Sequence, residues 1–143
     1  MVGLIAVGSA GCAEIRTSLP DAAPQQVEWT GTFENGCSPV DAAGIIVELT
    51  APQLDGFIQI SMWADESLEP GWRLPLAADD GRASAAFCRA TNDCQVATQG
   101  EMQILQAEGG TIRGELWLDL PRVGQLQGPF EAQWDDSGLV ICG

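Results

Sequence analysis

The chain contains no histidine, no lysine and no tyrosine among its 143 residues, and each absence removes a class of chemistry. Without histidine there is no Ser/His/Asp triad, no Cys/His nucleophile pair and no side chain whose unperturbed pKa lies near neutrality. Zinc sites built on imidazole go with it. Without lysine there is no Schiff-base chemistry and no phosphate-loop ammonium. Positive charge is scarce altogether: six Arg stand against 20 Asp plus Glu, a formal net charge of −14. A chain so acidic repels nucleic acid and anionic headgroups, so no nucleic-acid partner is expected.

What is present describes one packed domain. A chain of 143 residues is long enough for a single core and divides poorly into two. Its 45% hydrophobic content separates it from disordered acidic chains.

The amino terminus reads Met1-Val2-Gly3-Leu4-Ile5-Ala6-Val7, followed by the small residues Gly8, Ser9, Ala10 and Gly11 and then Cys12. Ala10-Gly11-Cys12 resembles the lipobox of bacterial lipoproteins, in which small residues precede the cysteine that is acylated and becomes the first residue of the mature chain. Ser9 stands where that family usually has Leu, and no basic residue precedes the apolar run, so the start codon is expected upstream of Met1. The resemblance covers about twelve residues and implies a signal peptide over residues 1–11, palmitate-type acylation at Cys12 and attachment to a membrane through lipid. Ala13, in place of Asp, implies an outer-membrane lipoprotein facing the periplasm or the cell surface.

Five cysteines, Cys12, Cys37, Cys88, Cys94 and Cys142, would leave one thiol over in an oxidising compartment. Assigning Cys12 to lipid leaves four, with three possible connectivities. The short step from Cys88 to Cys94 suits a local bridge, and Cys37 with Cys142 would then tie the start of the domain to its end. On the loop-entropy model the long bridge contributes about 4.7 kcal/mol and the short one about 2.4 kcal/mol. The spacing does not match the close cysteine pairs of structural zinc sites, so no metal and no cofactor is expected.

Residues 12–26, with Pro20 and Pro24 among Ala and Gln, read as a flexible tether. From Val27 onward a period of two takes over, marking residues 27–143 as one domain. Ile112, Gly114, Leu116, Leu118 and Leu120 alternate with polar neighbours, as do Leu126, Gly128, Phe130, Ala132 and Trp134. Val27 to Phe33 shows the same pattern. Further strands are expected over Ile45–Thr50, Phe57–Trp63, Ala83–Cys88, Met102–Ala107 and Leu139–Cys142, with turns between them at Asp- and Gly-rich stretches. The expected fold is all-β, a small antiparallel sandwich or barrel of about eight strands, with at most one short helix over Ser38–Gly44.

The acidic turns Asp79-Asp80-Gly81 and Asp135-Asp136-Ser137-Gly138 lack the spacing of an EF-hand and read as turns rather than calcium sites. Trp29 and Trp134 share faces with apolar residues and are expected in the core. Trp63, Trp72 and Trp117 fall on polar faces or a loop and are candidates for stacking on a ligand such as a sugar. No carboxylate pair is singled out by motif or spacing, so no catalytic residue is assigned. The leading expectation is a lipid-anchored, disulfide-stapled envelope domain with a non-catalytic binding or structural role toward a protein or glycan. The alternative is a carbohydrate-binding module or a small carboxylate-based glycan hydrolase.

Overall fold

Alternation of apolar and polar residues builds the strands, and the structure follows it closely. The computed structural model describes residues 23–37, 43–63, 68–76, 82–90 and 92–135. They form β1 (Gln25–Gln26), β2 (Trp29–Cys37), β3 (Ala43–Thr50), β4 (Phe57–Trp63), β5 (Arg73–Pro75), β6 (Ala83–Ala90), β7 (Asp93–Val96), β8 (Gln99–Glu108), β9 (Thr111–Leu120) and β10 (Gly124–Trp134). Among the described residues there is no helix. Ala43 and Gly44, the end of the expected helix, belong to β3 and pair with Cys37 and Gly36. Residues 38–42 lie outside the described residues, as do residues 1–22, Cys142 and the strand expected over Leu139–Cys142.

The strands form one ladder in the order β5-β8-β9-β10-β2-β3-β4-β6-β7, with β1 beside β10. This all-β, sandwich-like sheet is not closed into a barrel. Its two ends are nevertheless joined by the chain itself. β7 runs through Ala97 and Thr98 into β8, the Ala97 N–H donating to Ala85 O of β6 and the next N–H, of Thr98, to Asp119 O of β9. Consecutive amides thus serve opposite parts of the sheet, which folds over a single apolar cluster. Leu49, Ile58, Ile60, Met62, Leu74, Met102, Leu116 and Leu118 are among its fully buried members.

Most pairings are antiparallel, and the two exceptions both involve β10. β10 runs parallel to β2, with Phe130 opposite Trp29 and Trp134 opposite Phe33. β1 lies parallel to β10 in the same register, Gln25 opposite Leu126. The last two residues of the stretch read as a tether are therefore part of the sheet, and Val27 is buried between the two segments.

Glycine shapes the β8–β9 hairpin in two ways. The β8–β9 hairpin turns on Gly109 and Gly110, with φ of 63° and 80°, the left-handed pair that a two-residue turn needs. Gly114 faces inward on β9, where a Cβ would collide with the Gln103 carbonyl and come within 2.8 Å of the Phe130 ring. Only a bare backbone lets β8 and β9 curl this tightly, and the Phe130 ring covers the gap.

Trp29 is core, as its parity predicts. Trp134 is not: it is 38% exposed at the end of β10, where the apolar layer stops at Ala132, and its ring lies tilted on Phe33 at 5.1 Å. Inward parity ceases to mean burial once a strand outruns the sheet it packs against.

Candidate functional site

The β6–β7 hairpin combines a disulfide, a bulge and a lined hollow. Its strands pair Phe87 with Gln95 and Cys88 with Cys94, after which Ala90 pairs with Asp93. Two steps on β6 match one on β7, so Arg89 is the extra residue of a β-bulge. Bulges bend a strand and re-aim the side chain they carry. Cys88 and Cys94 are joined by a disulfide, with their Cα atoms 4.0 Å apart. Cys88 is buried and Cys94 exposed, so the bridge pins the outer strand to the core immediately beside the bulge.

A second support comes from the β9–β10 turn. The backbone N–H of Arg122 donates to Gln95 Oε1 at 2.8 Å, tying that turn to β7. Phe87, Arg89, Asp93, Gln95 and Arg122 then line one hollow of about 60 Å³. Neither arginine was singled out in the sequence. Arg89 lies three strands' worth of chain from Arg122, and only the bulge and the turn bring them together.

The expected bridge between Cys88 and Cys94 is present. Cys37 is disulfide-bonded as well. Its expected partner, Cys142, lies outside the described residues, as does the acylation site Cys12.

The three candidate stacking tryptophans do not share a groove. Trp63 and Trp117 have outward parity on β4 and β9, but β10, β2 and β3 intervene. Trp72 has the inward parity of Leu74 and Leu76 and packs against the core, with the Arg82 guanidinium 5.9 Å from its ring centre. Trp117 lines a depression, of about 220 Å³, with Glu101, Gln103, Glu115 and Gln127.

A larger trough, of about 560 Å³, opens across β8, β9, β10 and the start of β2. Its walls include Leu105, Pro129, Glu28 and Glu115, together with an exposed ion pair between Arg113 and Glu131 at 3.0 Å. Such exposed pairs contribute little to stability, ~0–1 kcal/mol. Among the described residues no group of three or more Cys, Asp or Glu is placed to hold a metal ion. The turn at residues 79–81 and residues 136–138 of the second acidic turn lie outside the described residues.

Comparison of the chain with protein-family models, with characterised proteins and with solved structures finds no match in any of the three.

Proposed function

We propose that the chain is a lipid-anchored, disulfide-stapled binding domain of a bacterial cell envelope that holds a ligand without transforming it. The observation that carries this reading is the Cys88–Cys94 bridge, because structural disulfides persist in oxidising compartments and are rare in the cytosol. The Ala10-Gly11-Cys12 sequence supports export with acylation at Cys12, and Ala13 supports the outer membrane as destination. The parallel register supports a second staple: Trp134 lies opposite Phe33, and the Asp135 N–H donates to Phe33 O, so the chain leaves β10 alongside the part of β2 that ends at Cys37. The eight residues from Asp135 to Cys142 are ample to span the five from Phe33 to Cys37. A binding role rather than turnover suits a chain with neither histidine nor lysine, in which the bulge and the hollow beside it are rigidly supported.

Intact mass of membrane-extracted protein, followed by non-reducing peptide mapping, tests the proposal. The expected result is a mature chain beginning at acylated Cys12, with peptides joined 88 to 94 and 37 to 142. Cys12→Ser is expected to abolish the acyl mass. A chain that retains residues 1–11 without lipid, or that carries four free thiols in the cell, overturns it.

A further inference from the structure

Five of the six arginines lie in the described residues, and three of them are engaged. Arg73 pairs with Glu101 and Arg113 with Glu131, each at 3.0 Å, while Arg82 lies over Trp72. Arg89 and Arg122 have no ion-pair partner among the described residues, yet both line the hollow beside the disulfide. In a chain with a net charge of −14 and carboxylates in excess, two unpaired guanidinium groups around one cavity mark a local reversal of sign. The single carboxylate at the hollow, Asp93, leaves it with a net positive charge.

Both arginines are carried on fixed supports. Arg89 projects from a bulge clamped by the Cys88–Cys94 bridge, and Arg122 sits in a turn held by Gln95. Size narrows the ligand further. The hollow, of about 60 Å³, is small and open to solvent, so it can receive one anionic group while the rest of a ligand lies outside it. The guanidinium fork matches the two oxygens of such a group. Two guanidinium groups offset by Asp93 leave one net positive charge, which a carboxylate neutralises, whereas a phosphate dianion would leave a negative charge facing the surrounding negative field.

We propose that the hollow formed by Phe87, Arg89, Gln95 and Arg122 binds the carboxylate of a small monoanionic ligand, with both guanidinium groups donating to its oxygens. This deepens, and rests on, the reading of the chain as a binding domain. Phe87 supplies the apolar wall, and Asp93 weakens the site by repelling the incoming charge.

The test is a titration of the full, oxidised chain in neutral detergent, observed through the arginine side-chain Nε–Hε resonances. Glucuronate is the probe, with glucose as its neutral counterpart and inorganic phosphate as the competing anion. Saturable shifts at Arg89 and Arg122 are expected with glucuronate and none with glucose, phosphate binding the same residues more weakly. Arg89→Gln and Arg122→Gln should each weaken binding tenfold or more, the loss expected of a charge-assisted hydrogen bond. Arg73→Gln should leave it unchanged, and Asp93→Asn should tighten it severalfold. The absence of saturable shifts, equal shifts at Arg73 and Arg113, tighter binding of phosphate, or weaker binding by Asp93→Asn overturns the assignment. These outcomes are independent of acylation at Cys12, so failure of the site and failure of the envelope reading are told apart.

Discussion

Ile104 and Leu105 are neighbours of equal size on β8 with opposite fates. Ile104 is fully buried, whereas Leu105 is 49% exposed. Alternation along the strand turns Leu105 outward, and a bulge, with Ile104 paired to Gly114 and Gln106 to Arg113, leaves it without an opposite residue as well. Ile104→Ala should therefore destabilise the domain by about 2–5 kcal/mol through the cavity it leaves, and Leu105→Ser by no more than about 0.5 kcal/mol. Urea denaturation at unchanged slope measures both; a large loss at Leu105 would mean that its side chain is covered. Neither bulge was legible in the sequence, because a bulge is defined by two strands in register and a single strand shows only one side. Arg89 escaped notice for that reason, whereas the Cys88–Cys94 bridge was legible because a short covalent loop needs no knowledge of the sheet.

At the scale of elements, long strands announced themselves and short ones did not. β4 runs Phe57–Trp63 as its alternation predicts, and β9 and β10 hold five and four inward residues at period two. β1, β5 and β7 are two, three and four residues long, too short for any period to stand out. The Ser-Pro start and Gly44 stop, read as helix caps, suit a chain reversal equally well, and pairing along β2 settled Ala43 and Gly44 as strand. The short strands also have a protective use. β5 closes one end of the ladder with Pro75 and the exposed Arg73–Glu101 pair, and β7 closes the other with a crosslinked stub. Short, charged or proline-bearing edges discourage pairing with another chain. Amide hydrogen exchange should accordingly be slowest in β9, β10, β2 and β3 and faster in β5 by orders of magnitude. Equal protection in β5 would indicate that a further segment or partner covers that edge.

At the scale of the whole molecule, charge rather than packing sets the response to conditions. Twenty acidic residues against six basic ones repel one another most strongly in the compact state. Raising ionic strength from about 10 mM to about 150 mM shortens the screening length from ~30 Å to ~8 Å, so the melting temperature should rise with salt. A fall would show that attractive pairs such as Arg113–Glu131 outweigh the general repulsion. The acidic surface also gives the Arg89–Arg122 hollow its contrast: on a neutral protein two arginines would be unremarkable, whereas here they interrupt a negative field.

The common register of residues 25–33 with residues 126–134 has a mechanical consequence. β1 and β2 enter this ladder from one end, and β10 leaves it at the other, running in the same direction. With the proposed 37–142 bridge reduced, tension between an anchor upstream of residue 25 and a load downstream of residue 134 would slide the two segments past each other. Their hydrogen bonds would share that load together, whereas the ends of an antiparallel hairpin such as β9–β10 peel apart one bond at a time. With the bridge formed, the same tension would run along β2 and through the disulfide, and the hydrogen bonds between β2 and β10 would be spared it.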